Sequence, residues 1–221
     1  MAIDIKKTLL LIVDVQNDFC PGGALAVNDG DKIVPRINSL AKVVAGHGGR
    51  VAAVQDWHPQ NHVSFASTYK NKNPGDTIDT AFVKGQTLWP DHCVQGTNGA
   101  DFHKDLDTKP MSWIFRKGTN PDMDSYSAFF DNDRKTATGL DALVKFLKLD
   151  TVIICGLATD YCVFYSALDS RQLGFKTIVV KDAVAGVDTP AGSVEKAITM
   201  MKAHGVDFKT SSDLVEDIRK W

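Results

Sequence analysis

Apolar positions along the chain follow two alternating periods. Six short runs read as strands: TLLLIVDV (8–15), RVAAVQD (50–56), SWIFRK (112–117), TVIIC (151–155), KTIVVKDA (176–183) and VDFKTS (206–211). Runs this short and this continuously apolar suit strands buried on both faces of a sheet. Between them the spacing becomes helical. Residues 31–49 place Ile33, Ile37, Leu40, Val43 and Val44 on one stripe, with Pro35 near the start and Gly48 and Gly49 as a stop. Further helices are predicted over 138–150, about 159–173, 189–205 with Pro190 near its start, and 212–220. Such alternation implies right-handed crossovers. The expected fold is α/β, a doubly wound, mostly parallel six-stranded sheet with helices on both faces.

One segment breaks the pattern. Residues 57–111 are polar and rich in His, Pro, Asn and Asp. A structureless connection of that length is uncommon. The segment is expected to hold short elements the pattern hides and to serve as a functional excursion after strand two.

Composition narrows the class. The chain has 221 residues, 43% apolar and 24% charged, which suits one domain, 1–221, with a sizeable core. A formal net charge of −2 with no basic run argues against nucleic acid as a partner. No apolar run is long enough to span a membrane. Asp14 interrupts the first one, so it reads as a strand and not an export signal. Four cysteines without a C-x-x-C pair fit reduced thiols and a cytoplasmic protein. The expected partner is a small-molecule substrate, and a homo-oligomer is compatible with all of this.

Ligands of open parallel sheets bind outside the carboxyl ends of the strands. Strand one ends at Asp14, strand two at Asp56, strand three at Lys117 and strand five at Asp182, while strand four leads through GLATDY to Cys162. A single Asp at a strand end is ordinary turn chemistry, and Asp182 fits that reading. Groups of mixed type at one rim point to a site. Cys162 falls in the first turn of a helix, where the macrodipole favours thiolate, and a nearby Lys117 would favour it further. Asp14 could take the thiol proton and later return it to a leaving group. Backbone N–H groups of the turn, with that of Cys162, could receive an oxyanion. Cys155, inside an apolar run, reads as a core thiol.

A second constellation lies in the excursion. Asp56 and His58, two residues apart at a strand end, face the same way, and a later His such as His62 or His92 can complete a set of one carboxylate and two imidazoles. Such a set suits Zn²⁺, Mn²⁺ or Fe²⁺. His47, His103 and His204 have no such neighbours. GHGG resembles a phosphate loop, but it follows a helix and precedes a strand, the reverse of a dinucleotide fingerprint.

The stretches LLIVDVQNDFCPGGALAV, QDWHPQNHVSFAS, TLWPDHCVQGT, FRKGTNPDMDSYSAFFDN and GLATDYCV, in this order over nearly the whole chain, strongly resemble nicotinamidases of the isochorismatase-like cysteine hydrolase superfamily. The resemblance implies hydrolysis of nicotinamide to nicotinate and ammonia in NAD salvage, through a thioester, with pyrazinamide as a further substrate. It places the family's Asp-Lys-Cys triad on Asp14, Lys117 and Cys162, and the ligands of one divalent metal ion per chain on Asp56, His58 and His92. His62 and Ser64 stand beside that set without an assigned role. Phe19 and Trp89 match the aromatic pair that sandwiches the ring, and Tyr126 and Tyr161 complete the wall. A cis peptide between Leu157 and Ala158 is implied, with the amides of Ala158 and Cys162 as the oxyanion hole. Two other readings compete: a related cysteine amidohydrolase acting on a carbamoyl or ureido group, and a non-enzymatic doubly wound protein holding flavin or nucleotide. The acidic groups in DVQNDFCPGG, where a phosphate would sit, disfavour the second.

Overall fold

The computed structural model describes residues 3–220. Six strands form the central sheet: β1 (Thr8–Val13), β2 (Arg50–Asp56), β5 (Trp113–Lys117), β6 (Thr151–Leu157), β7 (Lys176–Ala185) and β8 (Asp207–Lys209). All adjacent pairs are parallel, in the order β5-β2-β1-β6-β7-β8. The chain winds outward from β1 to one side through β2 and β5. It then returns past β1 to build the other side from β6. The winding direction therefore reverses between β1 and β6, and the carboxyl ends of these two strands flank the crevice where such sheets bind ligands.

Every residue of β1 is buried, and its side chains alternate between two cores. Leu10 and Ile12 pack with Ile37, Leu40 and Val44 of α1 (Val34–Gly46) and with Leu214 and Ile218 of α5 (Ser211–Arg219). Leu9, Leu11 and Val13 pack on the other face. Their partners there are Leu140 and Val144 of α2 (Leu140–Phe146), Val163 and Ala167 of α3 (Cys162–Gln172), and Ala197 and Met201 of α4 (Ser193–Ala203). Each such aliphatic side chain contributes about 1.5–3 kcal/mol when fully buried, so a strand apolar at every position is what a two-faced core requires.

The first four helices are shorter than the pattern predicts, while α5 keeps its predicted length one residue earlier. A 3-10 turn, Gly30–Ile33, precedes α1, which takes Pro35 in its first turn, where no intrahelical N–H is needed. The left-handed backbone of Lys148 ends the α2 region. Strand β7 runs past its expected end at residue 183 to Ala185, through a register shift opposite Ile154 and Gly156. Asp182 therefore does not close the strand at the catalytic rim. Its carboxylate accepts the N–H and hydroxyl of Ser211, both at 2.7 Å, and so anchors the start of α5.

The excursion over 57–111 does contain short elements. There are 3-10 turns at Ala66–Thr68 and Asn98–Ala100, and a small antiparallel hairpin of β3 (Thr77–Ile78) and β4 (Gln86–Thr87). Isolated bridges join His58 to Val94 and Phe65 to Trp89. Among the described residues, no helix is long and apolar enough to cross a membrane.

Candidate active site

Asp14 is the first residue after β1. Its backbone turns left-handed, with φ of 50°, and its carboxyl group is fully buried. Asp tolerates this region better than most residues. Lys117 ends β5 two strands away, also fully buried, and its ammonium points back across the strand ends. It donates to Asp56 Oδ1, to the Ser125 carbonyl at 2.9 Å and to Cys162 Sγ at 3.4 Å. Asp14 Oδ2 lies 3.0 Å from the same nitrogen. That contact is an ion pair, and neither oxygen of Asp14 receives an aligned hydrogen bond. Asp14, Asp56 and Cys162 bring one side-chain ligand atom each within 4.8 Å of one another. The three predicted catalytic residues thus meet, and Asp56 joins them.

Burial shapes the proton positions. It pushes the Asp14 carboxyl up to about 7, against the pull of Lys117 and with the repulsion of Asp56. Burial works against a charged Lys117 as well, but the two carboxylates more than offset it and hold its pKa well above the usual value. Cys162 is the first residue of α3, as the sequence suggests. It does not become a thiolate on that account. Burial, reinforced by Asp14 and Asp56, pushes the thiol well up, and Lys117 only partly compensates. Burial therefore works against a thiolate, and the nearest raised carboxyl group is Asp14. Cys155 is a buried core thiol whose Sγ lies 3.7 Å from the Leu11 carbonyl.

The metal candidates lie beside this group. Asp56 Oδ2 is 3.5 Å from His58 Nε2 and 3.8 Å from His92 Nε2, and one ligand atom from each residue lies within 4.8 Å of the others. His58 Nδ1 donates to the Gly118 carbonyl at 2.9 Å and His92 Nδ1 to the Pro90 carbonyl at 2.7 Å. Carbonyls only accept, so in both rings Nε2 is left to face Asp56. Gly118 must lack a side chain, since a Cβ there would run into the His58 ring. Burial, together with the neighbouring His58, lowers His92 to about 4, which keeps it neutral. Burial also opposes charge on His58, but Asp56 outweighs it and raises that ring. One carboxylate oxygen and two neutral imidazole nitrogens on a common centre fit a divalent cation.

His62 lies beside this set, and one ligand atom each from His58, His62 and Asp124 also falls within 4.8 Å of the others. His62 Nε2 donates to the Met123 carbonyl at 3.1 Å, and its Nδ1 accepts from the Ser64 hydroxyl at 2.7 Å. Both nitrogens are engaged, and Ser64 serves to hold the ring.

Over the triad and the imidazoles opens a pocket lined by Phe19, Trp89, Tyr126, Tyr161, Ala158 and Cys162, with Leu25, Asp124 and Val187 completing it. Trp89 Nε1 donates to the Tyr126 hydroxyl at 3.1 Å, and the Trp89 and Tyr161 rings meet edge to face at 4.9 Å. Phe19 packs against the His92 ring at 5.5 Å. The Leu157–Ala158 peptide is cis. Among the described residues, the amides of Ala158 and Cys162 donate to no protein acceptor, while Thr159, Tyr161 and Val163 all do.

Sequence reasoning missed four supporting residues. Gln16 donates to the Asp56 carbonyl at 2.8 Å and accepts its N–H at 2.9 Å. Ser125 offers Lys117 its carbonyl, Asp124 lines the pocket, and Val187 roofs it. Only Gln16, two residues past Asp14, carried a signal: a polar side chain directly after a buried strand.

The isochorismatase domain model matches residues 8–213. The nicotinamidase of Escherichia coli strain K12 is 46% identical over 209 residues, 94% of this chain and 96% of that protein. The structure of an Acinetobacter baumannii nicotinamidase/pyrazinamidase superimposes with a TM-score of 0.89 at 47% identity, covering 95% of this chain and 98% of that one. A Pyrococcus horikoshii pyrazinamidase solved in complex with zinc gives a TM-score of 0.76 at 35% identity, over 92% and 99% of the two chains. The chain belongs to the isochorismatase family and, within it, to the nicotinamidases.

Proposed function

We propose that this protein hydrolyses nicotinamide to nicotinate and ammonia with Cys162 as nucleophile, and accepts pyrazinamide by the same route. The observation that supports this reading best is the meeting of Asp14 and Lys117 with Cys162, which lines the aromatic pocket, with Lys117 Nζ 3.0 Å from Asp14 and 3.4 Å from Cys162.

The flat ring enters between Phe19 and Trp89, with Tyr126 and Tyr161 at its edge. Its carboxamide carbon faces Cys162 Sγ, and its carbonyl oxygen faces the unpaired amides of Ala158 and Cys162. Asp14, as carboxylate, takes the thiol proton while sulfur forms a bond to the carbon. The electron pair of the carbonyl moves to oxygen and is held by the two amides. When the pair returns, the C–N bond breaks, Asp14 gives its proton to the departing nitrogen, and ammonia leaves a thioester on Cys162. Water then attacks the same carbon as Asp14 takes its proton. The C–S bond breaks, the sulfur regains the proton from Asp14, and nicotinate departs. Lys117 keeps a positive charge beside the sulfur and the carboxylate throughout.

Asp56, His58 and His92 would hold one divalent ion, of the kind their donor set suits: zinc, manganese or iron. Such an ion, when bound, supplies a Lewis acid for the ring nitrogen and so orients the substrate.

The test is ammonia release from nicotinamide. Native protein should turn over, Cys162→Ala should lose activity by at least a thousandfold, and chelation should abolish turnover until metal is restored. Equal rates for native protein and Cys162→Ala would refute the covalent route. Full activity after chelation would favour a substrate without a ring nitrogen.

A further inference from the structure

Asp160 sits in the turn between the two unpaired amides, and its carboxylate is 8% exposed. Among the described residues it pairs with no cation. Instead, three donors from one distant segment converge on it. Val187 N–H reaches Oδ1 at 3.0 Å, Asp188 N–H reaches Oδ2 at 3.0 Å, and the Ser193 hydroxyl reaches Oδ2 at 2.5 Å. The flanking residues reach the same segment: Thr159 N–H donates to the Ala185 carbonyl at 2.9 Å and the Tyr161 hydroxyl to the Thr189 carbonyl at 2.9 Å. Gly186 has no room for a side chain, because a Cβ there would meet Asp160 Oδ1 at 3.1 Å and overlap Val194.

Residues 186–193 thus form a strap that leaves β7, places Val187 in the pocket lining and enters α4. Val187 is the residue it lowers onto the substrate cavity. Apart from Tyr161, whose hydroxyl reaches it from the rim, the polar ties holding the strap to the nucleophile turn end on Asp160. A buried carboxylate kept without a cation depends on such donors. The donors in turn have no second acceptor of equal strength.

We propose that Asp160 is a positioning residue that pins this strap across the pocket, so that Val187 closes on the aromatic amide. It touches neither substrate nor the reacting atoms. This inference rests on the pocket being the nicotinamide site, and it deepens that reading.

The experiment measures kcat and KM for nicotinamide, with the melting temperature, in Asp160→Asn, Val187→Ala and the double variant. Asn keeps the shape but supplies one acceptor where the strap needs two. Asp160→Asn should raise KM about tenfold with kcat changed less than threefold, Val187→Ala should raise KM about fivefold, and the double variant should be no worse than the more affected single. Ser193→Ala removes one donor and keeps the charge, so its KM should rise about two- to threefold. It carries the test if Asp160→Asn does not fold. Unchanged KM in Asp160→Asn and Ser193→Ala, a lowered melting temperature with kinetics intact, or KM effects that multiply in the double variant would each overturn the proposal. The Cys162→Ala control is independent. If native protein and that variant release ammonia equally, the functional reading has failed, and not the strap alone.

Discussion

Lys117 and Asp56 form a buried ion pair that fuses two constellations. One oxygen of Asp56 takes a hydrogen of Lys117, and the other faces His58 and His92. The ammonium's remaining donors reach Ser125 and Cys162, with Asp14 alongside. The nucleophile and the cation ligands are therefore electrostatic neighbours through a single side chain.

Replacing Lys117 with Met keeps the volume and removes the charge. Asp14 would then lie buried without a counter-ion, and Asp56 would keep only the imidazole of His58. Breaking a buried pair this way costs about 3–5 kcal/mol. Lys117→Met should lose that much stability in urea unfolding and should lose nicotinamide turnover together with it. A stability change under 1 kcal/mol would show that the ammonium does not hold the two carboxylates.

Asp14 gives two pH signatures. As proton acceptor it must be ionised, and burial raises its pKa to about 7. The acid limb of kcat/KM should accordingly lie near pH 7, falling about tenfold per pH unit below it. A limb near pH 4 would contradict the role of burial. Stability runs the other way. The folded pKa stands above the ordinary value of 3.8, so the folded state binds this proton more tightly than the unfolded chain. The contribution is complete below about pH 4 and is lost as pH rises through about 7. Asp14→Asn should flatten that slope in unfolding titrations.

His62 and His58 should separate in a metal assay. Both nitrogens of His62 are committed to Ser64 and Met123, whereas His58 presents Nε2 to Asp56. His62→Gln should keep about one ion per chain by elemental analysis, and His58→Ala should lose at least tenfold in affinity. Loss of metal in His62→Gln would bring that ring into the ligand set.

Gln16 should matter without touching substrate. Its amide closes on both backbone polar groups of Asp56 and also donates to the Ala100 carbonyl at 2.8 Å. Gln16→Leu takes these partners from the buried N–H and carbonyl of Asp56, at about 1–3 kcal/mol for each group left unpaired, while the Ala100 carbonyl keeps Gln55 at 3.0 Å. The variant should unfold more readily and bind the cation more weakly. An unaltered affinity would show that Asp56 is held well enough by β2 alone.

Much of the fold and site was legible in order along the chain. Continuous apolar runs predicted the four inner strands, because a strand covered on both faces needs an apolar residue at nearly every position, while the partly exposed edge strands β5 and β8 were read from shorter, mixed runs. The residues at the ends of the first four strands, Asp14, Asp56, Lys117 and Cys162, were legible because parallel strands deliver their ends to one rim. The hairpin at Thr77–Ile78 and Gln86–Thr87 was not, since two-residue strands carry no period. Asp182 was misplaced because a register shift in β7, invisible in sequence, carried the strand past it.

By itself the sequence determined which chemical groups exist, which strands carry them and the family to which the chain belongs, since these depend on local pattern and residue type. The tertiary structure alone decided who shares Lys117, which groups burial penalises, what engages the His62 ring and which donors meet at Asp160. Lys117 meets partners 61 and 45 positions away in the chain, and burial at that meeting point works against the thiolate that the helix end and lysine favour. Distance and desolvation are properties of the packed molecule, and no stretch of sequence contains them.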